Sequence, residues 1–170
     1  MPNWCEGILK LRGSKKDLVD FALNVLKRYG YLDNNDYVTG ASELPLNPEI
    51  DGYDLFIENK SMIENTPRYS WIYFKDSKRV FLNENLDWGF YGGENTIYVQ
   101  VLDIKQAWDI DTEYLLKLAQ EYHLDVKFNG FEMGMQFTRE IEIVDNQVIS
   151  DTTTEYDDYE WEVYDPRLGG

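Results

Sequence analysis

The chain has 170 residues, 43% of them hydrophobic and 15% aromatic, and its 32 acidic against 16 basic side chains set a formal charge of −16. That length suits one domain over 1–170 with a real core, since about 150 residues bury roughly 68–70% of their unfolded surface, and the share of core formers excludes a disordered chain. The charge opposes phosphate backbones and anionic membranes, which speaks against direct nucleic-acid binding unless a local basic patch evades the average, and against a membrane partner.

No apolar run reaches the roughly 18 residues a membrane helix needs, and Met1-Pro2-Asn3-Trp4 leads into no basic-then-apolar leader, so a cytoplasmic protein is expected. Cys5 is the only cysteine and His123 the only histidine, which excludes an internal disulfide framework or a thiolate cluster built from this chain alone.

Residues 5–12 alternate, with Cys5, Gly7, Leu9 and Leu11 on one side, as a half-buried strand does. Ser14 and Asp17 form a capping-box-like start, and Leu18, Phe21, Ala22, Val25, Leu26 and Tyr29 recur at helical steps up to Gly30, predicting a helix over 15–29. From 31 to 68 Pro, Gly and Asn interrupt short apolar clusters, which predicts a loop-rich insertion with short helical turns at 54–59 and 61–64.

Residues 69–75 and 78–82 read as a hairpin turning at Asp76-Ser77, and 96–102 as a strand with Ile97, Val99 and Val101 on one face. Asp111 and Thr112 are N-cap candidates for a helix whose stripe is Leu115, Leu118, Ala119 and Tyr122, ending near His123. A hairpin through Asn129-Gly130 follows, then a turn at Asp145-Asn146, and Tyr159, Trp161 and Val163 alternate with Glu160 and Glu162 as a last acidic strand in a 145–170 extension. The order predicts an α+β, ferredoxin-like antiparallel sheet with two helices on one face, a loop-rich insertion and extra C-terminal strands.

The opening Met1-Pro2-Asn3-Trp4-Cys5-Glu6-Gly7-Ile8-Leu9-Lys10-Leu11-Arg12-Gly13 resembles the start of the YubB-like family of plasmid, phage and integrative-element proteins. Trp88-Gly89, Ala107-Trp108 and Phe131-Glu132-Met133-Gly134-Met135-Gln136-Phe137 are similar to later parts of that pattern. The resemblance implies a ferredoxin-like domain and a home on a mobile genetic element, and it brings no activity with it. The family's Trp-Gly-Thr-Lys-Trp stretch is here Trp88-Gly89-Phe90-Tyr91-Gly92.

Individual residues offer little chemistry. Cys5 has no histidine near it in sequence to activate it and reads as core. His123 suits a helix C-terminus by its dipole alone. Neither Asp33-Asn34-Asn35-Asp36 nor Asp157-Asp158 has calcium-loop spacing, so no metal or other cofactor is expected. Trp71, Tyr73 and Phe74 have the look of a base-stacking platform, but with few basic neighbours beyond Lys75, Lys78 and Arg79 they read as packing.

The acidic tail is the strongest signal. Glu155, Tyr156, Asp157, Asp158, Tyr159, Glu160, Trp161 and Glu162 interleave carboxylates with aromatics, a surface suited to a basic or nucleic-acid-binding protein; the competing reading is an edge strand charged against aggregation. The sequence thus predicts a non-enzymatic accessory protein of a mobile element that binds a protein partner, with an anti-defence or nucleic-acid-mimic inhibitor as its sharper form. The alternative is a carboxylate-based, metal-dependent enzyme with a cleft formed by the 31–66 region.

Overall fold

A computed structural model of the chain describes residues 3–31, 40–59 and 70–163. The expected helical turn at 61–64 and the Asp33–Asp36 cluster lie outside those residues.

The alternation at the start forms β1 (Trp4–Ser14), whose Cys5, Leu9 and Leu11 are buried. Ser14 then caps α1 (Lys15–Val25), its Oγ accepting the Asp17 amide at 3.2 Å, and Leu18, Phe21, Ala22 and Val25 face the core. The helix ends at Val25 and not at 29. Leu26, Arg28 and Gly30 alternate inward instead, in β2 (Leu26–Gly30), which pairs with β6 (Ser70–Phe74). A ladder partner distant in sequence overrides a stripe that fits either period.

The 31–68 region is richer in strands than expected, with β3 (Ser42–Leu44), β4 (Glu49–Ile50) and β5 (Asp54–Ile57). At 54–59 the predicted helical turn is replaced by β5, because Leu55 and Ile57 are both fully buried and two residues apart, a spacing one strand face accommodates.

The chain continues through β7 (Val80–Leu82), β8 (Leu86–Gly89), β9 (Ile97–Ala107), α2 (Thr112–Tyr122), β10 (Asp125–Glu132), β11 (Phe137–Val144) and β12 (Gln147–Glu155). Asp111 caps α2 by accepting the Tyr114 amide, and His123 closes it in the left-handed conformation, its amide donating to Ala119. Asp145 and Asn146, both at positive φ, form the two-residue turn between β11 and β12.

Nine strands make one sheet in the order β12-β11-β10-β1-β9-β7-β6-β2-β3, and every neighbouring pair is antiparallel. A second sheet, β4-β5-β8, buries Leu55, Ile57, Leu86 and Trp88 in the same core, with the Trp88 indole N–H donating to Val101 O at 3.2 Å. The architecture is therefore α+β, with a mostly antiparallel, strand-rich sheet larger than the sequence predicts.

The strand read at 96–102 runs on to Ala107, and its faces carry an inversion. Ile97, Val99 and Val101 are exposed while Gln100 and Gln106 point into the core, where Gln100 donates to Gly89 O at 2.8 Å. α1 and α2 therefore lie on the side that carries Gln100 and Gln106, opposite the face of Ile97, Val99 and Val101. Among the described residues no helix is long and apolar enough to cross a membrane.

The expected last strand at 159–163 is a single helical turn, α3 (Tyr159–Glu162). Residues two apart lie on one face of a strand but about 200° apart on a helix, and Tyr159 is 2% exposed where Trp161 is 85% exposed. The strand that does extend the sheet, β12, escapes a pattern search because almost all of its residues are exposed.

Candidate functional site

Glu155 ends β12 opposite Phe137. Tyr156 then turns the chain back: its amide donates to Gln136 O at 3.0 Å and its hydroxyl pairs with Thr138 Oγ1 at 3.0 Å. Tyr159 meets the Tyr156 ring edge-on at 5.9 Å and is buried. Tyr156 and Val163 line a hollow of about 180 Å³ with Phe131, Thr138 and Glu140, on the side of β10 and β11 opposite α2. Inside the turn, Asp158 O accepts the amides of Trp161 and Glu162, and Glu162 Oε2 accepts the Asp158 amide at 3.3 Å.

The predicted site residues therefore divide by role. Tyr156 and Tyr159 fasten the segment, while Glu155, Asp157, Asp158, Glu160 and Glu162 remain exposed around an outward Trp161. The sequence reads Tyr156, Tyr159 and Trp161 alike as aromatics interleaved with the carboxylates. Among these three described rings, Trp161 alone is exposed.

Beside this segment lies a corner that the sequence scatters over three stretches. Asn3 O accepts the Trp108 amide at 2.8 Å, Cys5 stands in register with both Gln106 and Glu132, and a Cβ on Gly134 would lie 2.6 Å from the Asn3 side chain. Glu132 is buried and holds the β10–β11 turn by accepting the amides of Gly134, at 2.9 Å, and Met135. That turn pushes Met133 and Met135 into solvent, and Trp108, at φ 74°, is likewise exposed. The opening stretch, Ala107-Trp108 and the 131–137 stretch thus meet here, whereas Trp88-Gly89 lies apart in β8.

Under the corner, the buried Arg139 joins Asp109 at 3.2 Å, Thr112 Oγ1 at 3.1 Å and Asp151. The hydrogen bond from Arg139 holds the Asp151 carboxyl below its ordinary range. This ties α2 and β12 to β11, so the acidic segment leaves from a braced strand. The groove beside it, about 530 Å³, is lined by Lys78, Arg79, Trp108, Asp111 and Arg139 among others.

Cys5 is fully buried, and desolvation together with nearby Asp109 raises its thiol to about 12. Such a thiol is not a nucleophile at neutral pH. We expect native protein to leave a maleimide unreacted over hours and denatured protein to consume one equivalent, as followed by intact mass; labelling of the native state at the denatured rate would refute the packing described. His123, exposed at the helix end, lines a groove of about 520 Å³ between α1 and α2 with Lys16, Asp20, Lys117 and Glu121.

Among the described residues no group of three or more His, Cys, Asp or Glu side chains is placed to hold a metal ion. Trp88 and Phe90, from the stretch that departs from the family pattern, are core residues. Comparison of the chain with family models, curated proteins and solved structures produced no match.

Proposed function

We propose that this protein is a non-enzymatic accessory protein that binds a basic protein through the segment from Glu155 to Glu162. The observation that carries the reading is the division within that segment: Tyr156 and Tyr159 hold it against the sheet while its carboxylates and Trp161 face solvent. A fixed array of negative charge around one large aromatic supplies steering and an anchor together, and pre-ordering spares the entropy of folding on contact.

The net charge of −16 extends the same field over the surface. It favours a partner whose groove normally holds nucleic acid, which an acidic ridge can occupy in its place. The YubB-like opening supports a mobile-element setting, in which an inhibitor of host nucleases or restriction systems is the sharper form of this reading. The order β10-β1-β9 with α1 and α2 supports a ferredoxin-like unit enlarged at both edges. The carboxylate-enzyme alternative gains no comparable support.

The test is capture from host lysate on immobilised protein, eluted by a salt gradient, beside a variant carrying Glu155→Gln, Asp157→Asn, Asp158→Asn, Glu160→Gln and Glu162→Gln. Nucleic-acid-binding proteins are expected in the salt-sensitive fraction from the native protein only. Trp161→Ala alone should weaken the isolated complex by about 30-fold, the loss of a central aromatic anchor worth about 2 kcal/mol. Equal capture by native and neutralised protein would overturn the proposal.

A further inference from the structure

The face of the main sheet opposite α1 and α2 holds a second arrangement, on strands away from the acidic segment. Trp4 meets Phe81 at 5.7 Å, Phe81 meets Tyr73 at 6.3 Å, and Tyr73 meets Tyr29 at 5.1 Å, so half-buried rings run without a break from β1 across β7 and β6 to β2. Trp71 and Tyr31 adjoin them, 5.9 Å apart. Phe74, grouped with Trp71 and Tyr73 by sequence, points the other way and packs on Phe21 of α1.

Cations accompany these rings. Lys105 Nζ and Arg79 Cζ lie 5.3 and 5.6 Å from the Trp4 ring centre, and Lys27 stands in register with Tyr73. Lys27, Arg79 and Lys105 make no ion pair with any described residue, whereas Arg12, Lys16, Lys78 and Lys127 each have a carboxylate partner. In a chain with 32 acids against 16 bases, three cations without an ion pair to a described residue, on one face with edge-packed and tilted rings, make a local exception to the average, with Glu6 in register with Lys105 and Glu43 in register with Tyr29 as the carboxylates beside them.

We propose that this face binds single-stranded nucleic acid, with bases stacked on Trp4, Tyr73 and Tyr29 and phosphates on Lys27, Arg79 and Lys105. Base stacking needs aromatic surface, and the backbone needs cations alongside it; both occur here on one face. Strands about 4.8 Å apart put β1 and β2 roughly 19 Å apart across the sheet, enough for two or three bases. Glu6, in register with Lys105, and Glu43, in register with Tyr29, are close enough to temper the attraction, whereas exposed carboxylates farther than about 8 Å are largely screened at physiological salt. The site uses different residues from the protein-binding segment, and either can fail alone.

The experiment is fluorescence anisotropy of end-labelled decamers of deoxythymidine and of uridine, titrated with the full chain, against a duplex of equal length. Both single strands should bind at least tenfold more tightly than the duplex, whose base faces are hidden; a preference between them would identify DNA or RNA as the ligand. Three phosphate contacts give a salt slope of about −2. Tyr73→Leu and, separately, Lys27→Ala with Lys105→Ala should each weaken binding about tenfold with the melting temperature held. No binding, equal binding of duplex, or full binding by these variants would overturn the proposal. So would sedimentation showing that the face is occupied by a second copy of the chain.

Discussion

Gly7→Ala is expected to lower the melting temperature by roughly 6–12 °C, corresponding to a loss of about 3 kcal/mol in a domain of this size. Gly7 lies opposite Gly130 in the β1–β10 ladder, on the face covered by the helices. A Cβ on Gly7 would sit 2.3 Å from Asn129 O, 2.5 Å from Gly130 Cα and 2.7 Å from the Phe128 ring. The first two atoms belong to the backbone of a central strand, so relief requires the ladder itself to move. Gly13→Ala is the control, since its nearest neighbour is the Leu124 Cδ2 methyl, at 2.5 Å, which a rotamer change can withdraw. That variant should cost about 1 kcal/mol. Equal melting temperatures for the two would contradict the paired-glycine contact.

Arg28→Met should cost a similar amount for a different reason. Arg28 is 2% exposed, and its guanidinium donates to the carbonyls of Leu46, Glu58 and Asn59 and to Ser70 Oγ. It ties β2 to the chain on either side of β4 and β5. Hydrogen bonds from a charged donor are worth about 1.5–3 kcal/mol each, and buried carbonyls left unpaired carry their own penalty. Allowing for water entering at the partly exposed acceptors, a net loss of about 3 kcal/mol is expected. Arg28→Lys should recover less than half, because one ammonium cannot span the fork of a guanidinium. Melting curves give the size, and faster hydrogen exchange at β5 gives the place; a methionine variant within about 1 kcal/mol of native would show the clamp to be dispensable.

The sequence is legible where local chemistry and tertiary demand agree. Ser14 and Asp111 mark both long helices correctly, and Leu9 and Leu11 show the buried face of β1. It misleads where a distant partner decides. Leu26 and Tyr29 continue a helical stripe, yet β6 recruits them into a strand; Val99 and Val101 resemble a core face, yet the helices cover the side that carries Gln100 and Gln106. β12 has no apolar period to find, since its partner is one edge of β11 and both its faces meet solvent.

The acidic segment was visible as composition, but its division into fastening tyrosines and an outward tryptophan depends on one helical turn that alternation concealed. The corner of Asn3, Trp108 and Gly134 was visible only as separate words. Register along β1 brings them together, and no local signal encodes register between strands so far apart in sequence.

Competition at the captured partner tests the central claim most directly. The partner is loaded with labelled duplex nucleic acid, which also sets aside the single-strand face, and then titrated with native protein or with the variant neutralised over 155–162. The account predicts stoichiometric displacement of the duplex by native protein and little by the variant, with the loss concentrated in the association rate. A stable ternary complex, in which the duplex stays bound while the acidic protein also binds, would contradict it.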